Sequence, residues 1–240
     1  MAIKIGTAGW SIPRQVAGEF PAEGSALRRY SARFGVVEIN SSFHRPHQHS
    51  TWQRWHDSVP AGFRFSVKLP KLITHEQRLV DCSPAVAEFL DQVSPLGDKL
   101  AVLLVQLPPK LALEEPAAAA FFHDLRSRTD AAIACEPRHA SWFTPQADAL
   151  LDRMSVARVA ADPAICHAAA VPGGSARLKY WRLHGSPVVY RSSYHDRIDV
   201  PASKLKAAAT ADAWCIFDNT ASSAAAGDAL ELMESLESDP

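Results

Sequence analysis

The sequence predicts an α/β fold, a single (β/α)8 barrel with parallel strands spanning residues 1–240. Three observations predict it. Eight short apolar runs recur along the chain, and helical signals lie between most of them. The length of 240 residues fits eight strand–helix units of about 30 residues each. Such alternation implies parallel strands joined by right-handed crossovers. Closing eight strands into a ring leaves no edge to protect, which favours a barrel over an open sheet.

The runs occupy residues 3–5, 36–39, 63–67, 100–105, 132–135, 157–161, 180–183 and 213–217. Several are apolar without alternation, as in strands covered on both faces. Residues 100–107 form the clearest run; residues 157–161 are alanine-rich and carry the least strand character. After the first run, residues 25–34 are amphipathic, with Leu27, Tyr30 and Phe34 near one face. After the second, residues 50–56 read as a short helix carrying Trp52 and Trp55 at i, i+3 spacing. Ser83-Pro84 and Thr144-Pro145 are cap-and-proline starts after the third and fifth runs. Residues 116–125 form a helix after the fourth run. Pro201 opens one over residues 202–212, and Ser222 or Ser223 opens the last. The sixth unit, residues 162–174, has the least helical signal. No repeat or linker divides the chain, and residues 237–240 read as a frayed tail.

Composition removes several function classes. A formal net charge of −1 gives no global field toward nucleic acid or acidic lipid. The N-terminal residues lack the pattern of a signal peptide, and no apolar run is long enough to span a membrane. Cys82, Cys135, Cys166 and Cys215 are far apart and form no CxxC pair, so they read as reduced thiols of a cytoplasmic protein.

Polar residues end or follow nearly every run. The first leads into Gly6-Thr7-Ala8-Gly9-Trp10, whose glycines suit tight backbone geometry better than a dinucleotide fingerprint. The second carries Glu38 and Asn40, the third ends in Lys68, the fourth in Gln106, and the fifth in Glu136-Pro137-Arg138. The sixth ends in Asp162, the seventh contains Arg182 and ends His184-Gly185, and the eighth ends Asp218-Asn219. Barrel enzymes place their chemistry at this rim. Turn formation accounts for Asp162-Pro163 and Asp218-Asn219 equally well. It does not account for Glu38, Lys68, Glu136, Arg138, Arg182 or His184, for which a mutually paired structural network is the competing reading.

These same stretches carry a resemblance. Gly6–Trp10, Val37-Glu-Ile-Asn-Ser-Ser-Phe43, Phe65-Ser-Val-Lys-Leu-Pro70 with Ile73-Thr-His75, Gln106-Leu-Pro-Pro109, Cys135-Glu-Pro-Arg138 with Ser141-Trp142, Tyr180-Trp-Arg-Leu-His-Gly185 and Phe217-Asp-Asn219 resemble the YecE-like family, domain of unknown function 72. The resemblance covers almost the whole chain in order. It implies a TIM-type barrel with a pocket at the rim, and no settled activity. Phe43 stands where the family pattern has tyrosine, and Asp218 where it has asparagine.

The leading expectation is an enzyme acting on a small anionic or sugar-like compound, including a phosphorylated one, by hydrolysis or isomerisation. Glu136, His184 and Glu38 are the catalytic candidates, since burial and neighbouring arginines tune their protonation. Lys68, Gln106, Arg138, Arg182, Asn40, Trp10, Trp142, Tyr190, Tyr194 and Asn219 are the substrate-binding candidates. The arginines suit a forked grip on phosphate or carboxylate, and the aromatic rings suit stacking. Alternation puts Arg182 and His184 on one face and turns Trp181 toward the helices. No cofactor is expected. One alternative is a metal-dependent sugar isomerase-like or endonuclease-like barrel, with a divalent ion held by Glu136, Asp162, His184 and Asp218. Another is a non-catalytic nucleic-acid or ligand-binding module using Arg14, Arg28, Arg29, Arg33, Arg45, Arg54 and Arg64, with His44, His47, His49 and His56 nearby.

Overall fold

The computed structural model describes residues 3–207 and 212–237. The strands are β1 (Ile3–Thr7), β2 (Val36–Ile39), β3 (Arg64–Lys68), β4 (Leu100–Gln106), β5 (Ala132–Glu136), β6 (Val156–Arg158), β7 (Ala160–Asp162), β8 (Gly173–Gly174), β9 (Leu178–Leu183) and β10 (Asp212–Phe217). The helices are α1 (Ala26–Tyr30), α2 (His49–Asp57), α3 (Ser83–Val93), α4 (Glu115–Ser127), α5 (Pro145–Arg153), α6 (Asp199–Ala207) and α7 (Ala225–Glu237). All eight expected runs are strands, but the alanine-rich sixth run is divided. Its first part, β6, pairs with β5, and its second part, β7, pairs with β9.

Local chemistry sets several helix ends. The Thr144 hydroxyl accepts the Ala147 N–H at 3.1 Å and starts α5 as expected. Ser25 does the same for α1 by accepting from Arg28. Helix α3 begins one residue earlier than its cap-and-proline signal suggests, with Cys82 before it and no side-chain cap. Helix α6 begins at Asp199 rather than Pro201, and residues 208–211 of that expected helix lie outside the described residues. Ser223 takes a left-handed turn (φ 66°), so α7 starts only at Ala225. Glu237 closes α7, and the other tail residues lie outside the described ones. The sixth unit has no α-helix; a 3-10 turn at His167–Ala170 and the short antiparallel strand β8 take its place.

The strands form two sheets, ordered β1-β10-β9-β7 and β2-β3-β4-β5-β6-β8. Every pairing is parallel except β6 with β8. This is an α/β fold with parallel sheets. The sheets touch at a parallel bridge between Ala8 and Glu38, where the Gly9 N–H donates to the Glu38 carbonyl at 2.8 Å. Gly6 allows that approach, since a Cβ there would lie 2.3 Å from the Val36 carbonyl oxygen. Tyr30 braces the junction, donating to Val36 O at 3.0 Å and accepting from the Thr7 N–H at 2.9 Å.

Two apolar cores result. The larger lies between strands and helices and includes Phe65, Val105, Phe122, Trp142, Trp181 and Leu205. The smaller takes Val36, Leu104, Ala134, Ala157, Tyr180 and Ile216 from both sheets, which face one another across it. The four cysteines are free thiols; Cys135 and Cys215 are buried, and burial pushes both thiols far above their ordinary pKa.

Candidate active site

Strand alternation decides which side chains meet above the smaller core. Residues two apart share a face, so Val36 is followed by Glu38, Ser66 by Lys68, Leu104 by Gln106, and Ala134 by Glu136. Tyr180 is followed by Arg182 and then His184, and Ile216 by Asp218. In each series except that of Ser66 an apolar or aromatic member comes first, and charged or amide side chains lie at the C-terminal strand end. Trp181, one residue out of phase, packs in the larger core.

Arg182 is fully buried and joins three carboxylates. It forks onto Glu38, with Nε to Oε2 at 3.1 Å and Nη2 to Oε1 at 2.7 Å. Its Nη1 reaches Glu136 Oε2 at 2.5 Å, and Nη2 also reaches Asp218 Oδ2 at 2.9 Å. Tyr180 donates its hydroxyl to Glu38 at 2.8 Å, and that hydroxyl lies 2.9 Å from Ser66 Oγ. His184 bridges the other two acids, with Nε2 2.8 Å from Glu136 and Nδ1 3.0 Å from Asp218. Gln106 donates to Glu136 at 2.8 Å, and Arg138 does so at 3.3 Å.

The electrostatics follow from these contacts. Burial alone would raise the Glu136 pKa, but Arg182, His184 and Arg138 outweigh it and hold that carboxyl well below its ordinary range. Burial would likewise raise Asp218, and Arg182 with His184 holds it low. Burial pulls the His184 imidazolium down, but the two flanking carboxylates outweigh it and raise the pKa. Burial and Glu38 keep the Tyr180 hydroxyl protonated, its pKa raised well above normal.

Lys68 differs from the rest. Its ammonium has no hydrogen bond or ion pair among the described residues and lies over the Phe43 ring, 4.0 Å from the centroid. Burial, then the nearby Arg182, lower its pKa to about 8. The three acids are thus already engaged; the half-buried Arg138 shares Glu136, while the buried Lys68 ammonium has no carboxylate paired with it among the described residues.

The other expected site residues differ in where they lie. Tyr190 is at the rim, at φ 65°, its ring edge-on to His184 at 5.8 Å. Asn40 is near the cluster, 3.4 Å from Asp218, and its buried carbonyl oxygen has no hydrogen-bond partner among the described residues. Trp142, Tyr194 and Asn219 do not present a binding surface. Trp142 is buried in the larger core and donates to Leu111 O. Tyr194 is buried and ties Gly185 N–H to the Asp162 carbonyl. Asn219 is buried and donates to Asp228 and to Ser192 O. Trp10 packs edge-on against Trp55, with ring centroids 5.1 Å apart. Arg182 was expected to grip substrate, but burial and its carboxylate partners make it the organiser of the cluster instead.

Of the four residues of the metal alternative, Glu136, His184 and Asp218 meet in the cluster and Asp162 does not join them. Asp162 turns to Arg197 at 2.7 Å, and Asp218 and Glu136 are held by Arg182 and His184. Among the described residues no group of three His, Cys, Asp or Glu side chains is arranged to hold a metal ion. His47 packs against Trp52 and Trp55, whereas His49 pairs with Asp91, so the two do not act together. Arg28 and Arg29 lie on α1, Arg54 on α2, and Arg64 at the opposite end of β3 from Lys68.

Sequence reasoning missed Tyr180 and Ser66 as members of the cluster. Alternation back from Arg182 and Lys68 was the available signal. It also missed Phe143, which lines a cavity of about 180 Å³ beside Glu136, Arg138 and His184.

A family model described as "Protein of unknown function DUF72" matches residues 4–240, and the chain belongs to that family. It is 30% identical over 142 residues to the UPF0759 protein YecE of Escherichia coli (strain K12), covering 59% of this chain and 50% of that protein. It is 28% identical over 149 residues to the UPF0759 protein YunF of Bacillus subtilis (strain 168), covering 60% and 53%. The matched region thus spans about half the length of these curated relatives. Among solved structures, a DUF72 family protein from Enterococcus faecalis V583 superposes with a TM-score of 0.82 at 20% identity, covering 98% of this chain and 96% of that one. A D-allulose 3-epimerase from Methylomonas sp. superposes with a TM-score of 0.58 at 15% identity, covering 98% of both chains. These likenesses concern the fold. No helix among the described residues is long and apolar enough to cross a membrane.

Proposed function

We propose that this DUF72 chain is a (β/α)8-barrel enzyme of the cytoplasm, acting on a small anionic compound, sugar-like or phosphorylated, by acid/base hydrolysis or isomerisation. The bridge between Ala8 and Glu38 and the shared run of β6 and β7 support joining the two sheets into one ring. The fold likeness to a D-allulose 3-epimerase supports a small-molecule role.

The observation that carries the reading is the imbalance at the strand ends. Three carboxylates are satisfied from below by Arg182 and His184, leaving Lys68 without a paired carboxylate and Arg138, which shares Glu136, beside it to meet an anion. An anion between them would supply the paired counter-charge that Lys68 lacks, at low cost because the donors are already in place. Glu136 and His184 would exchange the proton with substrate: His184 holds it between two acids, and Glu136 is the acid that reaches the cavity. Glu38 is fully enclosed and would set the position of Arg182 rather than touch substrate. No organic cofactor is required by this chemistry.

The test is a phosphorylated-metabolite panel screened by thermal shift and turnover against wild type, Arg138→Gln and Glu136→Gln. Arg138→Gln should weaken anion binding about ten-fold or more. Glu136→Gln should bind but not turn over. Identical ligand profiles in wild type and Arg138→Gln would refute the assignment.

A further inference from the structure

The cavity beside the charged cluster has two chemically distinct walls. One is Glu136, Arg138 and His184. The other is made by Phe143, Val159, Ile165, Ala169 and Val189, with two prolines and Ala161, and carries no polar side chain. A sugar held there would have its hydroxyl groups stripped of water with nothing to bond, which is costly. The volume of about 180 Å³ is instead suited to one ring or branched aliphatic group; an apolar cavity of about 150 Å³ takes up benzene.

This wall is built, not incidental. It stands where the sixth unit lacks its helix. The buried Arg158 is forked onto Asp148 at 2.7 and 3.1 Å, bonds the Ala168 and Val171 carbonyls at 2.9 and 3.3 Å, and lies over the Phe143 ring at 4.9 Å. It therefore holds both Phe143 and the turn bearing Ala169. At the mouth Ile165 is 55% exposed and Val189 40% exposed, with Val188 adjacent. Such residues at the entrance, continuous with the apolar wall, match a ligand that covers them.

We infer that this cavity is a subsite for an apolar ring or branched aliphatic group, carried on an anion whose charged end is met by Arg138. The inference rests on the proposed anion site and narrows its substrate class from bare sugars to amphipathic anions.

The probes are inorganic phosphate, ribose 5-phosphate, phenyl phosphate and neutral benzyl alcohol, measured by calorimetry and ligand-observed NMR. The proteins are wild type, Arg138→Gln, the cavity-filling Ala169→Leu, and Ile165→Asn at the exposed mouth. Phenyl phosphate should bind wild type about ten-fold or more tighter than inorganic phosphate, with ribose 5-phosphate showing no such gain. Ala169→Leu should remove the gain and leave phosphate binding intact, and Ile165→Asn, which leaves a buried core untouched, should reduce it. Arg138→Gln should weaken every phosphate alike. Phosphate binding with no phenyl gain, or a gain that survives both cavity variants, would overturn the subsite while leaving the anion site standing. Benzyl alcohol bound in wild type and lost in Ala169→Leu, with no phosphate binding, would overturn the anion site and retain the apolar one. No binding of any probe would overturn both.

Discussion

Lys68→Met should make the protein more stable at neutral pH while removing an anion-binding charge. Methionine keeps the unbranched stem and discards the ammonium. The lysine pKa falls from 10.5 to about 8 on folding. At about 1.4 kcal/mol per unit, that shift means the charged lysine costs the native state on the order of 3 kcal/mol. Below pH 8 both folded and unfolded forms are protonated and the cost is complete. As pH rises from about 8 to 10.5 the folded form alone has lost its proton, and the cost disappears. Urea denaturation at pH 7 should show the variant about 1–3 kcal/mol more stable, the lower end allowing for imperfect packing of methionine. The difference should narrow by pH 10. Added phosphate should stabilise wild type more than the variant. A variant no more stable at pH 7, or an advantage that does not shrink in alkali, would refute the reasoning.

Arg182→Met should cost about 3–5 kcal/mol at pH 7, because it strands three buried carboxylates, and denaturation should find part of that recovered in acid as Glu136 and Asp218 take up protons. His184 has a raised pKa, so its contribution is complete below about 6.5 and fades as pH climbs through the raised value. The stability difference between wild type and His184→Gln should therefore shrink as pH rises above 6.5, and a constant difference would count against the imidazolium. Glu136 and Asp218 behave oppositely: their contributions are complete above 4.5 and 3.8 and are lost as pH falls through the depressed values, which acid titration of Glu136→Gln would register. Gly6→Ala should destabilise by about 1–3 kcal/mol or prevent folding, since its methyl meets backbone rather than a movable side chain; a variant melting with wild type would contradict the close approach of β1 and β2.

Much of the fold was legible because strand burial on both faces leaves apolar runs such as residues 100–105, and because Thr144-Pro145 is a local signal. The split of the sixth run was not legible. It arises from a change of partner at Val159, whose N–H bonds Cys135 O at 2.8 Å while the next residue pairs with β9. Strand-end position located Glu38, Lys68, Glu136, Arg138 and Asp218. Which charges face a ligand depended on depth: Arg182 looks like a substrate arginine until its four bonds to carboxylates are seen. Aromatic residues misled for a similar reason. Trp142 and Tyr194 follow strand ends, yet their polar tips reach Leu111 O and Asp162 O, so loops bury them.

Pairing of the first strand with the last has a consequence for assembly. Ile3 sits beside Ala213, so β1 has no ladder partner until β10 has been made. Contacts of such sequence separation form late. On a ribosome, Glu38 and Glu136 emerge well before Arg182 and Asp218, and stay hydrated as ordinary surface acids until those strands arrive. The charged cluster is therefore completed by the same event that seats β1, and a chain cut short before β10 would lose its beginning as well as its end.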